Sequence, residues 1–378
     1  MRITRLELEN WRNFLSVSVP LERRVFLVGP NASGKSNFLD ALRFLRDIAD
    51  PKGGFQSAVA ARGGVSQIRS LHARRYPNVV IGIELDLEDE GQWGYRLEFS
   101  QDNQRVPKVS RERVTKNGKV IVDRPYKEDE EDPSRLTQTY LQQVNANRAF
   151  RVVAEALAQI RYLHLVPQLV REPDRSVGRE RDPYGGDFLE QLAKTQSRTL
   201  TSRLNRIADA LRVAVPQLKS LELSRDPATG VPHLRGLYQH WRPNAGWQTE
   251  EQFSDGTLRL FGLLWVFLDG AGPLLLEEPE LSLHAAVIKT VPQIMARLGR
   301  KSGRQIIVSS HSFELLSDQG IDPREVLLLR PTEEGTVIEP AEDDGQVKAL
   351  LDGGVSMAEA VIPRTAPNGA AQLALFGD

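Results

Sequence analysis

The feature that most constrains the fold of this chain is the stretch Gly29–Ser36, which reads GPNASGKS. It follows the apolar run Val25–Val28 and precedes Asn37–Leu45, in which apolar residues recur at helical spacing. A strand, a glycine-containing loop and a helix in this order form the context of a phosphate-binding P-loop. Glycines let the backbone turn tightly, so that successive N–H groups and the helix N-terminus point at anionic oxygens. The stretch therefore predicts an α/β fold with a nucleotide site, rather than a chance Gly-Ser loop before a helix.

The side chains of this loop have distinct expected roles towards a nucleotide. The Lys35 ammonium is expected to reach the β- and γ-phosphates, and the Ser36 hydroxyl is expected to be a ligand of Mg²⁺. A nucleotide and Mg²⁺ are therefore the predicted ligands of this loop. The residues predicted to bind the nucleotide are Gly29, Pro30, Asn31, Ala32, Ser33, Gly34, Lys35, Ser36 and Asn37.

The composition excludes several other classes of protein. The 49 Lys and Arg residues nearly balance the 50 Asp and Glu residues, so nucleic acid would have to bind to a local basic patch or to an assembled oligomer. The absence of cysteine excludes disulfides, thiolate metal sites and cysteine nucleophiles. The apolar stretch Leu258–Leu268 is too short to span a bilayer, and the N-terminus lacks a signal-peptide pattern. We expect a soluble, cytoplasmic protein.

Changes in hydrophobic period predict four segments along the chain. Alternating strands dominate up to the acidic run at residues 127–133, and helical spacing follows from Leu136–Val144 onward. Single helices are predicted over Phe188–Val213 and over Leu281–Leu298. The four segments are the N-terminal half of a nucleotide-binding domain at 1–132, a helical insertion at 133–215, the C-terminal half at 216–340, and a C-terminal helix and flexible tail at 341–378.

Two further apolar strands end in polar residues of the kind that act on a bound nucleotide and its metal. The strand Pro273–Leu276 is followed by Glu277 and Glu278, and acids at a strand end beside a P-loop can hold Mg²⁺ and orient the attacking water. We assign Glu277 to the metal and Glu278 to the water; the alternative is a charged strand-to-helix turn. After the strand Gln305–Ser309, His311 is expected to contact the γ-phosphate, although a histidine in such a place is often structural.

The segment Phe253–Leu260 places Ser254, Asp255 and Gly256 at the start of a predicted helix. A serine at that position can cap the helix, and the N–H groups beside it can bind an anion. Taken alone, the segment predicts a helix cap. The segment also lies between the P-loop and the paired acids along the chain, and this order adds a second interpretation, a role in the nucleotide site.

Together the four motifs resemble the ABC-type ATPase head shared by the SMC, RecF and overcoming-lysogenization-defect families. Gly29–Ser36 matches the Walker A loop, and Leu274–Glu278 resembles Walker B with its catalytic glutamate. His311 resembles the switch histidine of these heads. Ser254–Gly256 corresponds to the signature motif, which in the family contacts the γ-phosphate bound by the opposite subunit.

The resemblance extends over residues 1–125 and 216–340, and it includes Asn10–Phe14, which is similar to the opening strand and turn of RecF-like heads. Two features depart from the commoner patterns. Glu277 stands where aspartate is more usual, and the signature reads Ser-Asp-Gly rather than the Ser-Gly-Gly of transporter ATPases. Gln67 is a candidate for the Q-loop glutamine.

The resemblance implies a P-loop NTPase fold, with a mixed central sheet, an antiparallel sheet and a short helical insertion. It also implies an ATP hydrolase in which Glu278, His311 and Lys35 are catalytic residues, and Ser36 and Glu277 hold Mg²⁺. A homodimer would then close head-to-tail on two ATP molecules, and hydrolysis would reopen it.

The resemblance leaves two tasks open for such an ATPase. One is DNA repair or antiphage defence, with direct contact to DNA through arginines that are interleaved with acidic residues and are equally compatible with a solvated surface. These arginines are Arg171, Arg175, Arg179, Arg181, Arg198, Arg203, Arg206 and Arg212. The other is a regulatory ATPase that switches a separate toxin or nuclease without binding DNA, since the chain after Arg330 is too short for the Toprim nuclease of lysogenization-defect proteins. The Ser-Asp-Gly signature argues against a third task, that of the motor subunit of a membrane transporter.

The C-terminal residues Gln372, Leu373, Leu375 and Phe376 resemble the bacterial sliding-clamp-binding pentapeptide. The three apolar side chains could anchor in a hydrophobic pocket while the glutamine fixes the register. The alternative is a tail whose apolar residues dock on the core of its own chain.

Overall fold

The computed structural model describes residues 1–73, 77–172, 182, 184–242 and 246–366. The clamp-like residues Gln372, Leu373, Leu375 and Phe376, together with Arg175, Arg179 and Arg181, lie outside the described residues. The strands are β1 (Arg2–Trp11), β2 (Phe14–Pro20), β3 (Arg24–Val28), β4 (Val79–Asp86), β5 (Gln92–Gln101), β6 (Pro107–Lys116), β7 (Lys119–Arg124), β8 (Arg161–Leu163), β9 (Leu218–Arg225), β10 (Pro232–Tyr238), β11 (Trp247–Thr249), β12 (Leu274–Glu277), β13 (Ile306–Ser310), β14 (Val326–Thr332) and β15 (Gly335–Pro340).

The α-helices are α1 (Lys35–Ala49), α2 (Phe55–Ala60), α3 (Val65–Ile68), α4 (Lys127–Glu131), α5 (Arg151–Ala158), α6 (Pro167–Val170), α7 (Phe188–Ala193), α8 (Ser197–Leu211), α9 (Asp255–Leu268), α10 (Ala285–Ile288), α11 (Val291–Ser302), α12 (Phe313–Leu316), α13 (Gly345–Asp352) and α14 (Met357–Val361). Short 3₁₀ turns occur at Glu88–Glu90, Pro133–Thr137, Ala146–Ala149, Glu250–Gln252, Pro323–Glu325 and Ile362–Thr365. Across the described ranges, every helix is too short or too polar to cross a membrane.

The chain divides into two compact units. The first unit comprises Met1–Arg161, Ala271–Leu275 and the described residues from Pro292 onward. The second unit comprises Tyr162–Gly270 and Leu276–Val291. The segmentation predicted from the sequence, with divisions after residues 132, 215 and 340, stays a prediction. It is defined by motifs and hydrophobic period, whereas the two units are defined by their compactness.

One sheet of the first unit is antiparallel, with strand order β2-β1-β4-β5-β6-β7. Alternate residues of β5 are buried, as expected for strands with one face on a core: Trp93, Tyr95, Leu97 and Phe99. Helix α1 packs on this face, and its Phe44 ring lies 5.5 Å from the Phe99 ring. The packing confirms the alternating strands predicted from the sequence, and it fixes the helix that follows the P-loop.

The other sheet of the first unit is mixed, with the P-loop strand β3 at its centre. β3 pairs in parallel with β13 on one side and with β14 on the other, and β15 is antiparallel to β14. β12 joins this sheet at its start, where the Leu274 N–H donates to the Gln305 carbonyl at 2.9 Å. Val25–Val28 are all buried, which is typical of parallel strands covered on both faces.

The second unit has a three-stranded antiparallel sheet in the order β11-β10-β9. Helices α7, α8 and α9 pack with it around one apolar cluster, whose larger members include Phe188, Leu192, Ile207, Leu234, Phe253, Phe261 and Trp265. The cluster thus fixes α9, the helix that begins in the signature segment.

The single helix predicted over Phe188–Val213 is wrong, because the structure has two helices there. α7 ends at Ala193 and α8 begins at Ser197. The hydroxyl of Thr195 donates to the Gln191 carbonyl at 3.2 Å, a local side-chain bond of the kind that competes with helical backbone pairing.

The helix predicted over Leu281–Leu298 is also divided, into α10 and α11. Ser282 has a φ of 61°, which no right-handed helix accommodates, so helical structure starts only after it. His284 then caps α10 by accepting the Ala286 N–H at 3.1 Å. Pro292 stands in the first turn of α11, where proline is favoured because its missing N–H is not needed.

The helical spacing of Leu136–Val144 does not produce an α-helix. The N–H groups of Tyr140 and Leu141 instead donate to the carboxylate of Glu112, at 2.7 and 3.0 Å. Glu112 is fully buried, and burial raises the pKa of its carboxyl group even though these N–H groups and the Arg124 guanidinium oppose the shift. A buried carboxylate has to be satisfied by donors, and this segment supplies them.

Asp344 joins the C-terminal helices to the mixed sheet of the first unit. Its Oδ1 accepts the N–H groups of Gln346 and Val347 at the start of α13, at 2.8 and 2.9 Å. Its Oδ2 accepts hydrogen bonds from Arg330 and from Arg364. Burial alone would raise the pKa of Asp344, but the hydrogen bonds from Val347 and Arg330 hold that pKa below its ordinary value.

The substitution Asp344→Asn keeps an oxygen for the helix cap and removes the charge that pairs with both arginines. We expect the free energy of unfolding at neutral pH to fall by about 1.5–3 kcal/mol. Because the folded pKa is lowered, the carboxylate stabilises the fold above its unfolded pKa of about 4, and this contribution disappears as the pH falls through the folded pKa. Urea denaturation at neutral pH and at about pH 3 checks both expectations.

The matched control is Asp322→Asn, since Asp322 also caps a short turn and pairs with an arginine, but its side chain is 42% exposed. Its loss is expected to be smaller. A difference between wild type and Asp344→Asn that stays constant with pH contradicts the assignment.

Candidate functional site

The P-loop follows β3 and adopts backbone conformations that need glycine. Gly34 has a φ of 98°, and a Cβ atom there would lie 2.2 Å from the Asn13 amide nitrogen. A Cβ atom on Gly29 would lie 2.6 Å from the Leu329 carbonyl oxygen. Ala32 has a φ of 62°, in the left-handed region that non-glycine residues rarely adopt. The loop is therefore a tight, preformed turn, as the sequence predicted.

The N-terminus of α1 is available to an anion. Gly34 caps the helix without a side-chain hydrogen bond, and the first turn contains no acidic residue. The Lys35 ammonium donates to the carbonyls of Gly29 and Pro30, at 2.8 and 3.0 Å, and therefore lies folded over the loop. Asn31, Ala32 and Ser36 are exposed, so the rim of the loop is open. Backbone N–H groups, the helix dipole and an ammonium thus favour negative charge at this point.

Asn13 is a bracing residue that the sequence analysis missed. Its amide nitrogen donates to the Ser33 carbonyl at 2.9 Å and to the Thr336 hydroxyl at 2.7 Å, and its oxygen accepts from the Asn37 amide at 2.7 Å. The Trp11 indole also donates to the Asn37 carbonyl, at 2.8 Å. Asn37, predicted to bind nucleotide, thus directs its side-chain amide to Asn13. The only sequence signal was the resemblance of Asn10–Phe14 to a RecF-like opening.

His311 lies at the same edge of the sheet as the P-loop. β13 pairs with β3 in parallel, and Ser310 is opposite Val28, the residue before the P-loop. His311 comes directly after Ser310 and is exposed. Gln67 lies in α3, and its carbonyl accepts a hydrogen bond from Arg12. The contacts of His311 and Gln67 with a nucleotide stay predictions.

In the second unit, Glu277 ends β12 and Glu278 follows in a strained conformation. The Glu277 carboxylate accepts a hydrogen bond from the Tyr162 hydroxyl, so it is held in place by a neighbouring strand. Glu278 has a φ of 43° and Ser282 a φ of 61°. Non-glycine residues in this region cost energy that the surrounding structure must supply, and such strain is typical of functional sites.

The signature segment begins α9, also in the second unit. The Ser254 hydroxyl accepts the Thr257 N–H at 3.1 Å, so the helix cap that the sequence allowed is present. A Cβ atom on Gly256 would lie 2.6 Å from the Ser282 carbonyl oxygen, so glycine lets the signature segment approach the segment after Walker B. Asp255 pairs with Arg171 at 2.6 Å.

Arg259 is a second residue that the sequence analysis missed. It lies in α9, and its Nε is buried without a hydrogen-bond partner among the described residues. Burial lowers the pKa of its guanidinium, while the carboxylates of Asp255 and Glu278 oppose that shift. Arg259 therefore lies near both the signature acid and the predicted catalytic glutamate. Sequence could not reveal this, because it depends on how α9 faces the end of β12.

The structure thus gathers the predicted residues into two groups. The first unit holds Gly29–Ser36 with His311 at one sheet edge, and the second unit holds Glu277 and Glu278 with Ser254–Gly256. The donors predicted for the metal are a hydroxyl and a carboxylate, which fit Mg²⁺, a cation that prefers oxygen and usually takes one or two protein ligands plus phosphate. Within the described ranges, no three His, Asp or Glu side chains form a metal-binding cluster.

Comparisons with known proteins place this chain among ATPases. The family described as "AAA domain, putative AbiEii toxin, Type IV TA system" matches residues 24–317, well over half of the chain. The DNA replication and repair protein RecF of Synechocystis is 31% identical over 103 residues, covering 27% of this chain and 26% of RecF. The endonuclease GajA of Bacillus cereus is 40% identical over 58 residues, covering 15% of this chain and 10% of GajA. The matched part is thus a small share of either relative.

The fold agrees with solved structures of SMC heads. The SMC head bound to the C-terminal winged-helix domain of ScpA has a TM-score of 0.58 at 16% identity, covering 90% of this chain and 97% of that one. This confirms the fold class predicted from the sequence, a P-loop ABC-type ATPase head. The chain therefore belongs to the AAA domain family that matches it, and is an ABC-type ATPase of the RecF, SMC and overcoming-lysogenization-defect type.

Proposed function

We propose that this chain binds and hydrolyses ATP with Mg²⁺, as a homodimer whose two copies close head-to-tail on two ATP molecules. The observation that carries the proposal is the P-loop itself. Its helix N-terminus has no side-chain cap, its rim is exposed, and Lys35 is folded onto the carbonyls of Gly29 and Pro30. A phosphate chain offers the oxygens that such a group of donors needs.

In this proposal the remaining motif residues act on the bound phosphates. Ser36 and Glu277 would hold Mg²⁺, which supplies charge neutralisation on the phosphates when bound. Glu278 orients the attacking water and accepts its proton, and His311 contacts the γ-phosphate. The signature residues of the opposite copy, Ser254–Gly256, would complete the site through their helix N-terminus.

The first test is phosphate release from ATP by the full chain, with Lys35→Ala beside it. We expect Mg²⁺-dependent release by the wild type that stops on chelation of the metal. Lys35→Ala removes a charged donor to the phosphates and is expected to lower ATP affinity by about 10- to 100-fold. The matched control is Lys127→Ala, since Lys127 is 85% exposed in the same unit. Equal ATP affinity of Lys35→Ala and wild type contradicts the assignment.

For the biological task, we propose DNA repair or antiphage defence together with a partner effector. Support comes from the similar proteins: RecF is a replication and repair protein, GajA is an endonuclease, and the family description names a toxin system. An effector such as a nuclease would then be a partner whose state follows the ATP cycle of the head.

A second candidate is a regulatory ATPase that does not itself bind DNA. It is favoured by the ion pairs of several arginines that the sequence analysis proposed as DNA contacts. Arg171 pairs with Asp255 at 2.6 Å, Arg203 with Asp269 at 2.8 Å, and Arg212 with Asp209 at 2.6 Å. Arginines with carboxylate partners are less available to phosphates, even where they are exposed as Arg212 is; Arg198 and Arg206 are also exposed. DNA binding that weakens steeply with salt, and is lost in an Arg198→Ala, Arg206→Ala double variant, would favour the DNA-directed task.

A further inference from the structure

One short segment of the second unit contacts both the metal-site carboxylate and the signature loop. This segment is Tyr162–Arg171, which we name the strap; it contains the end of β8 and the helix α6. At its start, the Tyr162 hydroxyl donates to the Glu277 carboxylate. Two residues later, His164 Nδ1 lies 3.4 Å from the Glu277 carbonyl oxygen. The strap therefore contacts both the side chain and the backbone of Glu277.

The middle of the strap is anchored on the signature helix. Leu165 is 4% exposed and belongs to the apolar cluster that includes Leu258 and Phe261 of α9. A Cβ atom on Gly262 would lie only 3.0 Å from Leu165 Cδ2, so glycine permits an unusually close approach of α9 to the strap. The strap is thus packed against the helix whose N-terminus carries the signature.

The end of the strap holds the signature loop itself. Arg171 donates to the Asp255 carboxylate at 2.6 Å and to the Phe253 carbonyl at 2.6 Å. Gln168 lies 3.4 Å from the other Asp255 oxygen. A guanidinium bound to a carboxylate and a carbonyl at once has little freedom, so these contacts fix the loop that presents Ser254.

We propose that the strap is a positioning element for two ATP sites. Tyr162 fixes the Glu277 carboxylate in the site of its own copy, and Arg171 fixes the signature loop that completes the site of the opposite copy. The proposal rests on the proposed function, because Glu277 has a metal to hold and the signature an opposite site to complete only in an ATP-dependent dimer. Tyr162 and Arg171 act through Glu277 and the signature loop, so both are positioning residues. A residue that orients a metal ligand typically changes metal affinity by about 10- to 100-fold when it is lost.

The test at the Glu277 end uses Tyr162→Phe, which removes one oxygen and keeps the ring. In Glu278→Gln protein loaded with ATP, Mn²⁺ affinity measured by electron paramagnetic resonance is expected to fall about tenfold. ATP affinity measured without a divalent cation should not change. The control is Tyr126→Phe, a tyrosine that is 38% exposed in the other unit. Equal Mn²⁺ affinity of Tyr162→Phe and the control overturns the role of Tyr162.

The test at the signature end uses Arg171→Gln in the same Glu278→Gln background. The ATP concentration that gives half-maximal dimer by analytical ultracentrifugation is expected to rise about tenfold, while nucleotide affinity of the monomer is unchanged. Arg171→Lys keeps the charge but loses the planar guanidinium whose Nη2 contacts both the Asp255 carboxylate and the Phe253 carbonyl, and its effect should be intermediate. The control is Arg225→Gln, an exposed arginine at the end of β9 in the same unit. Dimerisation of Arg171→Gln that matches this control overturns the role of Arg171.

The two proposals fail in distinguishable ways. If the Glu278→Gln protein with an intact strap neither binds Mn²⁺ and ATP together nor dimerises with ATP, the proposed function is wrong and the strap has no role. If that protein does both, and the Tyr162 and Arg171 variants do so equally well, the proposed function stands and the strap is only a structural tie.

Discussion

Glu278→Gln is expected to lower ATP turnover by about 10²- to 10⁴-fold while ATP binding persists, since an amide cannot accept the proton of the attacking water. Glutamine has nearly the same shape as glutamate, so the P-loop and the signature should be unaffected. Glu278 has a left-handed backbone, at φ 43°, and strain of this kind is typical of functional sites.

The measurement separates chemistry from binding. Single-turnover phosphate release reports the chemical step, and titration with a fluorescent ATP analogue reports affinity. Glu251→Gln is the matched control, because Glu251 is an exposed acid of the same unit. If single-turnover release by Glu278→Gln equals that of the control, another residue must orient the water, and Glu278 owes its strained backbone to packing alone.

The parts of the site that sequence predicts well are those encoded within a few residues. Gly29–Ser36 combines a strand, a tight loop and a helix in one continuous stretch, and its glycines meet steric demands that only glycine satisfies. The same holds for the Ser254 cap, since a serine bonds an N–H three residues along the chain. Strands in which apolar and polar residues alternate strictly, such as β5, were predicted correctly for the same reason.

The parts that sequence did not predict depend on contacts between residues far apart in the chain. Tyr162 and Glu277 are separated by 115 positions, and nothing near either residue indicates the hydrogen bond between them. Asn13 meets Thr336 across 323 positions. Such contacts arise from the order of strands in a sheet, which local spacing does not determine.

Helix boundaries failed for a different reason. The apolar period of Phe188–Val213 continues through the break at residues 194–196, because both α7 and α8 face the same cluster. The period reports which side chains are buried, and it does not report that the backbone stops being helical between them. The hydrogen bond from the Thr195 hydroxyl to the Gln191 carbonyl lies at this break, and the apolar period gives no indication of it.

Mixing Lys35→Ala copies with Ser254→Arg copies is expected to restore turnover that neither variant shows alone. In a head-to-tail dimer, each site takes its P-loop from one copy and its signature from the other. A mixed dimer then has one site with both defects and one site with neither. Half of the dimers in an equal mixture are mixed, so about a quarter of all sites are intact by the symmetry of the pairing.

A control is needed to show that Ser254→Arg acts on the opposite copy and not through loss of the helix cap. Ser254→Ala loses the same bond to the Thr257 N–H, worth about 1 kcal/mol, without adding bulk, so its melting temperature should match that of Ser254→Arg if the added bulk does not damage the fold. A second control mixes Lys35→Ala with Glu278→Gln. Since both residues belong to the same site in the proposed arrangement, every mixed dimer keeps one defect in each site and turnover should stay low.

These mixtures decide whether the signature acts in cis or in trans. If Ser254 served the P-loop of its own chain, Lys35→Ala and Ser254→Arg would damage the site of whichever copy carried them, and no mixture could contain an intact site. Recovery with Ser254→Arg but not with Glu278→Gln therefore requires that residues of two copies meet at one ATP. Recovery in neither mixture, with all variants folded, contradicts the head-to-tail dimer and leaves the P-loop, whose geometry lies within one unit, as the part of the proposal that survives.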